Sequence, residues 1–336
     1  MMMNCPTLAE LPPPPSGRVG WPWTVESPHL KDREAWPRVS IITPSYNQAQ
    51  FIEETIRSVL LQGYPNLEYL ILDGGSDDQS QETIKKYEPW LKFWTSARDR
   101  GQSDAINRGF LLCSGEVGAW LNSDDVLLPG ALACVARLWS ANQNSTLVVG
   151  ASEFREISGS NAWHVVDTPP TSREELFNYF RGRYMAQPSC FFSPKVFNEL
   201  GGLDCGLHYA MDLDLWFKLA ERGKIVLTQQ KLSWMRAHED AKTFKFGHRV
   251  VDEVETVMLR YCTLQQINHI RRQAAERRAY QWMRECKAQF RELNLIEGIG
   301  CLSAAMKEDL WHVMKNPPLK LSNVPSLARA LLNAIR

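Results

Sequence analysis

Short apolar runs alternate, over the first two thirds of this chain, with segments whose apolar residues recur every three or four positions. Val39-Ser40-Ile41-Ile42-Thr43 is β-branched and predicts a strand. Phe51, Ile52, Ile56, Val59 and Leu60 then fall on one helical face. Leu67 to Leu72 predicts a second strand, Ser80 to Tyr87 a weaker helix, and Phe93 to Ser96 a short strand. Gln102 to Leu112 predicts a helix and Val117 to Leu121 a strand. Pro129 to Ala141 predicts a helix with proline near its first turn, and Leu147-Val148-Val149 another strand. This alternation predicts an α/β fold with a mostly parallel sheet and helices on both faces.

The two flanks read differently. Residues 1–37 hold Pro12-Pro13-Pro14-Pro15, Trp21-Pro22-Trp23 and Trp36-Pro37. Proline at that density predicts an extended arm, and the tryptophans predict that it packs on the domain. From 245 to 336 strand signals cease, and Val250, Val254, Val257, Met258 and Tyr261 share one helical face. The expected organisation is an arm (1–37), an α/β domain (38–244) and a helical extension (245–336).

Polar residues cluster where the strands end. Thr43 is followed by Pro44-Ser45-Tyr46-Asn47, and Leu72 by Asp73-Gly74-Gly75-Ser76. Ser96 is soon followed by Asp99-Arg100-Gly101-Gln102, and Leu121 by Asn122-Ser123-Asp124-Asp125. In a parallel sheet these four clusters emerge along the carboxyl edge, where open α/β sheets bind ligands. Neither G-x-G-x-x-G nor G-x-x-x-x-G-K-[ST] occurs, which disfavours a dinucleotide or P-loop site. An acidic edge would need a divalent cation to accept a diphosphate.

Composition changes this picture little. Lys plus Arg equals Asp plus Glu at 38 each, so net charge argues neither for nor against a nucleic-acid partner; none is expected. The eight cysteines include no C-x-x-C pair, so reduced thiols in a cytoplasmic protein are expected. The first residues lack the basic and apolar regions of a secretory signal, and no apolar run approaches the ~18–20 residues of a membrane span.

The order and spacing of these clusters resemble those of family-2 glycosyltransferases of the GT-A fold, over roughly Arg38 to Thr243. The matching elements continue with Gly201-Gly202-Leu203-Asp204, Met211-Asp212-Leu213-Asp214-Leu215-Trp216 and Arg236-Ala237-His238. The arm is similar to that of a subgroup used in bacterial surface-polysaccharide assembly. The resemblance implies a GT-A, Rossmann-like sheet and inverting transfer from a UDP- or dTDP-sugar to a carbohydrate or lipid-linked acceptor. Asp73 would then meet the uracil or thymine edge. Pro44, Ser45 and Tyr46 would line the nucleoside pocket, and Asp99, Gln102 and Asp104 would approach base or diphosphate.

The family's D-x-D element maps onto Asn122-Ser123-Asp124, with Asn122 in place of the first carboxylate. Asn122 and Ser123 would contact the nucleotide. Asp124 would hold Mn²⁺ or Mg²⁺ with His238, and Asp125 would support the turn. Asp212 maps to the general base, although Met211 stands where the family usually has Glu. Asp214 is its rival, and Gln187-Pro188 would border the acceptor. A non-catalytic nucleotide-sugar-binding scaffold is the alternative, favoured by Asn122 and Met211. Arg271, Arg272, Arg277, Arg278 and Arg284 lie among Tyr280, Trp282 and Met283. That segment could rest on an anionic membrane, which would place the protein peripherally at the inner face of the plasma membrane.

Overall fold

An apolar strand flanked by turns must pair on both sides to satisfy its backbone, and β1 (Val39–Ser45) does so near the middle of the sheet. In this computed structural model, which describes residues 5–30, 36–155, 162–238, 247–291 and 294–315, β2 (Leu67–Asp73) and β4 (Val117–Trp120) lie parallel to β1 on either side. β3 (Phe93–Ser96) lies parallel outside β2. Helices α1 (Ile52–Leu60), α2 (Ser80–Lys86) and α3 (Gln102–Leu112) lie in the connections between them. All four carboxyl ends therefore share one edge. Ser45 stands opposite Asp73, and Asp73 opposite Ser96.

Beyond β4 the sheet is mixed. Its order is β3-β2-β1-β4-β8-β6-β9-β5, with β7 (Ala162–Val166) paired to β6. β6 (Ser145–Arg155) and β9 (Lys224–Arg236) run parallel, whereas β8 (Cys190–Phe192) is antiparallel to both β4 and β6. β5 (Val126–Leu127) is antiparallel to β9 at the far end. In a flat sheet β4 and β5 would stand about four strand spacings apart, ~19 Å. The link between them contains a turn, closed by Asp125 N–H donating to the Asn122 carbonyl at 3.1 Å. A chain that turns back cannot reach so far in five residues, so the sheet curls. The curl carries the end of β9 onto the acidic turn.

Several elements are longer than the apolar runs suggest. β6 and β9 extend through Ser, Glu, Gln and Lys positions: β6 buries Ser152 and Glu153 in the sheet, whereas β9 exposes Gln229-Gln230-Lys231 before returning to the core at Leu232. Helix α4 (Ala131–Ala141) starts after Pro129, since Gly130 takes a left-handed φ of 75°. Short helices α5 (Arg173–Leu176) and α6 (Pro194–Glu199) precede α7 (Met211–Ala220).

The chain divides into two compact units, Met1–Phe244 and Lys245–Arg336, and the junction falls outside the described residues. In the second unit α8 (Gly247–Tyr261) buries Val251, Val254, Val257 and Met258. α9 (Ile267–Arg291) and α10 (Leu295–Lys315) share a core of Ala279, Met283, Cys286, Cys301, Leu302, Ala305 and Val313. The basic segment of α9 is partly turned inward. Met283 is in that core, Trp282 stacks on His248 at 3.8 Å, and Arg278 pairs with Asp252, Glu255 and Glu308. Among the described residues no helix is long and apolar enough to cross a membrane.

Several carbonyls of the arm converge on one guanidinium. Arg57 on α1 is fully buried, and donates to the carbonyls of Pro12, Pro22 and Trp23 at 2.8, 3.1 and 3.0 Å. It also donates to the Tyr87 hydroxyl at 3.2 Å and lies 5.5 Å from the Trp23 ring centre. Further along, Trp21 Nε1 donates to the Leu127 carbonyl at 2.8 Å, directly behind the acidic turn. Gly63 has φ +61°, and a Cβ there would meet the Pro28 carbonyl at 2.7 Å, so the arm passes where only glycine fits.

Removing a buried cation strands the carbonyls that it satisfies. Arg57→Met should therefore lower the unfolding free energy by about 3 kcal/mol. Urea denaturation measures the loss, and proteolysis within residues 5–30 should quicken in parallel. An unchanged denaturation midpoint would show that the arm is held by other contacts.

Candidate active site

The carboxyl edge is organised by Asp73. Its buried carboxylate accepts the N–H groups of Gly75 and Ser76 at 3.2 and 2.9 Å, and the hydroxyls of Ser76 and Ser96 at 2.5 and 2.6 Å. These donors fix the turn after β2 on the end of β3. Asn47, with a left-handed φ of 52°, joins the same turn to the end of β1 through Ser76 Oγ and Asp77 N–H. Ser45 is buried, and its hydroxyl finds no hydrogen-bond partner among the described residues. Pro44 beside it is buried, whereas Tyr46 projects, 61% exposed. Asp99 caps the Gly101 N–H at 2.8 Å, and its carboxylate faces Gly74. Asp104 is ion-paired with Arg100 at 2.6 Å, which holds its acid below the usual carboxylate range.

The acidic turn is held from behind by α1 and from above by β9. Thr55 Oγ1 contacts the carbonyls of Ser123 and Asp125 at 2.9 and 2.7 Å. Arg236 donates through Nε to the Asp124 carbonyl at 3.2 Å and pairs with Glu54 at 3.0 Å. Its guanidinium lies between the rings of Phe51 and Trp234, at 4.7 and 4.5 Å. Asn122 accepts from Gln102 at 2.7 Å and donates to Asp125 and Gln187, both at 3.3 Å. Gln187 donates in turn to the Trp120 carbonyl at 2.8 Å, and Pro188 is buried beside it. Asp125 is buried. Its burial, and then the neighbouring Asp124 carboxylate, push its acid well above the usual carboxylate range.

Asp124 keeps a partly exposed carboxylate, and Oδ2 lies 3.0 Å from His238 Nε2. The two are hydrogen-bonded to each other; the carboxylate oxygen is a donor suited to Mn²⁺ or Mg²⁺, and the imidazole nitrogen suits Mn²⁺ better than Mg²⁺. Among the described residues no three His, Cys, Asp or Glu side chains converge. A cation held there would have to part this hydrogen bond and take its remaining ligands from elsewhere.

Asp212 sits in the first turn of α7. Burial raises its acid to about 6, against the Leu213 N–H that favours the anion at 2.7 Å. No cation pairs with it among the described residues, and its charge adds to the burial that raises the Cys190 thiol. Asp214, two residues on, is buried and bonded to Lys218 at 2.7 Å. A small hollow is lined by Arg100, Gln102, Cys205, Leu207, His208 and Met211, the residue before Asp212. The structure thus brings Gln102, Asn122, Asp125 and Gln187 into one network, and Asp124 to His238. Glu54, Thr55 and Arg236 have no assigned part in the sequence reading. Their signal is polar side chains inside runs that read as core.

The sequence profile of glycosyl transferase family 2 matches residues 40–201. An uncharacterized glycosyltransferase of Rickettsia typhi is 27% identical over 232 residues, 68% of this chain and 72% of its own. The chain spans about a third of two further rickettsial relatives, 31% and 36% of their lengths. Among solved structures, Staphylococcus aureus TarS 1-349 in complex with UDP-GlcNAc superposes with a TM-score of 0.52 at 16% identity, over 71% of each chain. The mannosyltransferase PcManGT of Pyrobaculum calidifontis, in complex with GDP-Man and Mn²⁺, gives 0.54 at 16% identity, over 93% of this chain and 83% of its own. At such identities the likeness establishes a common GT-A fold.

An acid whose pKa is raised by folding holds its proton more tightly in the folded state. The contribution of Asp212 to stability is present below the unfolded carboxylate pKa and is lost as pH rises through about 6. Asp212→Asn cannot ionise and escapes that loss. The melting temperature of the variant relative to the parent should therefore be higher at pH 8 than at pH 4.5. A difference independent of pH would mean that Asp212 is not perturbed.

Proposed function

We propose that this chain, a glycosyltransferase of family 2, transfers one sugar with inversion from a UDP- or dTDP-sugar to a hydroxyl of a carbohydrate or lipid-linked acceptor, assisted by Mn²⁺ or Mg²⁺. The observation that carries this reading is the buried carboxylate of Asp212 at the start of α7, its acid raised by burial to about 6, next in sequence to Met211, which lines a small hollow together with Gln102. A general base must be unprotonated at neutral pH yet basic enough to take a hydroxyl proton. Asp212 meets both needs. Asp214, neutralised by Lys218, is the weaker candidate.

The nucleoside would lie over the ends of β1 and β2. The free Ser45 hydroxyl and the exposed Tyr46 ring offer it a donor and a stacking face beside Pro44. Asp73 holds the turn there, with one carboxylate edge less occupied by donors and able to meet a ring N–H. Asp99, Gln102 and Asp104, together with Asn122 and Ser123, would line the path from ribose to diphosphate. Asp124 and His238 would hold the cation, which when bound neutralises charge on the departing diphosphate. Asp212 takes the acceptor proton as the acceptor oxygen attacks the anomeric carbon, and the nucleoside diphosphate leaves with the bonding electrons. One displacement inverts the configuration. Gln187 and Pro188 would border the acceptor, and Asp125 would steady the turn. The pathway we infer is surface-polysaccharide assembly at the cytoplasmic face of the membrane, where lipid-linked acceptors are reached.

Asp212→Asn should lower kcat for transfer on the order of 10²–10⁴-fold while nucleotide affinity changes little. In the parent, kcat should fall as pH drops below about 6. A larger loss in a folded Asp214→Asn variant would exchange the two roles.

Asp124→Ala should abolish divalent-dependent nucleotide binding, read by calorimetry with and without Mn²⁺. Asn122→Asp should retain binding and transfer. Near-native transfer by Asp124→Ala would remove Asp124 as the anchoring ligand.

A further inference from the structure

Helix α3 covers the sheet and also touches both halves of the candidate site. At its start Gln102 bonds Asn122 of the acidic turn at 2.7 Å. Further along, Asn107 holds the loop that leads to Asp212. Its amide donates to the Leu203 carbonyl at 2.9 Å, and its oxygen accepts the Leu203 N–H at 2.8 Å. One side chain thus satisfies both backbone groups of one residue, as a neighbouring strand would. The same amide nitrogen lies 3.6 Å from Cys205 Sγ.

The approach is close. Gly201 and Gly202 turn the chain after α6 with φ of 81° and 73°. A Cβ on Gly202 would meet Asn107 Oδ1 at 2.6 Å, so glycine lets the loop lie against the amide. Past Leu203 the loop closes on itself. Asp204 Oδ1 accepts the Gly206 N–H at 2.8 Å, and the Asp204 carbonyl accepts the Leu207 N–H at 3.1 Å. Leu203, Leu207, Ala210 and Met211 are buried. Cys205, Leu207, His208 and Met211 line the small hollow together with Arg100 and Gln102. The loop therefore follows α3 from Asn107 to the helix start and ends at the residue before Asp212.

We infer that Asn107 is a positioning residue for Asp212: it fixes the loop that delivers α7, and so keeps the Asp212 carboxylate buried. The inference rests on the role proposed for Asp212. An amide suits the task because it donates and accepts at once; alanine does neither. Releasing the loop admits water to the carboxylate, and the anion gains most from that water. Few charges bear on Asp212 among the described residues. The Cys190 thiol on β8 is pushed up by burial, and Asp214 is bonded to Lys218. Arg100 and His208 line the hollow, and any charge they carry is common to the proteins compared below.

Four proteins test the inference: the parent, Asp212→Asn, Asn107→Ala and the double variant. In the parent background Asp212→Asn should gain melting temperature at pH 8 relative to pH 4.5, because the stability lost as Asp212 ionises is no longer lost. In the Asn107→Ala background water reaches the carboxylate and its acid moves back toward the ordinary range. The gain should then shrink by about half or more. Asn198→Ala, which removes a 3.2 Å bond from α6 to the Phe110 carbonyl of α3, is the comparison. It should lower the melting temperature alike at both pH values and leave the Asp212→Asn gain intact. Hydrogen exchange over 203–211 should be slow in the parent and about tenfold faster in Asn107→Ala. An unchanged gain in the Asn107→Ala background overturns the inference, as does equal shrinkage with Asn198→Ala. Exchange over 203–211 of the parent at the rate of an unfolded chain also overturns it, and needs no variant to fold. Retained transfer by Asp212→Asn would defeat the catalytic role alone, since none of these measurements uses activity.

Discussion

A helix buried on every side must satisfy its polar side chains inside the protein, and α1 does so on the segments that the site needs. Glu54 fixes Arg236, Thr55 contacts two carbonyls of the acidic turn, and Arg57 collects three carbonyls of the arm. Ser58 accepts the Leu127 N–H, and Gln62, just past the helix, donates to the Leu128 carbonyl. Each interaction is short of remarkable strength alone, but an unmade one would leave a buried polar group unsatisfied. Removal is therefore costlier than the gain from formation. The acidic turn inherits its rigidity from this asymmetry.

That rigidity has something to oppose. Asp124 and Asp125 are adjacent carboxylates, and placing both as anions in a buried turn is unfavourable. The structure divides them. Asp125 is buried, with Arg236 N–H and the Asn122 amide on its oxygens and its acid shifted upward. Asp124 faces outward toward His238. Asparagine at 122 fits this division. Its amide donates to Asp125 and Gln187 while its oxygen accepts from Gln102, a pattern that a carboxylate could not complete because it has no N–H to give. The departure from a D-x-D pattern is thus matched by its surroundings.

The parallel half of the fold was legible because β1 to β4 are short apolar runs separated by helical spacing, and their polar ends mark the edge. The second half was less so. β8 is three residues long, and β9 passes through Thr228-Gln229-Gln230-Lys231, which no apolar pattern joins to Leu232. The meeting of Asp124 with His238 spans 114 positions and depends on the curl of the sheet, which periodicity does not encode. Arg57 reads as a solvated arginine until the arm is seen to cover it. The basic segment of α9 shows the reverse error. Charges and aromatics adjacent in sequence lie on different helical faces, so Arg278 and Met283 turn inward while Arg277 and Tyr280 stay outside.

Asp212 and Asp214 show most directly why a motif needs an environment. Both lie in the first turn of α7, where the helix dipole favours an anion equally. The difference is what each side chain meets. Asp214 points back along its own helix to Lys218, one turn on, and the ion pair spends its charge. Asp212 has no such partner among the described residues, so desolvation dominates and its basicity rises. A carboxylate made basic by burial is costly to keep ionised, and a purely structural position would be relieved of that cost by asparagine. Asp212 keeps that cost, next in sequence to Met211, which lines the hollow with Gln102, and this is the property on which the proposed role as proton acceptor rests.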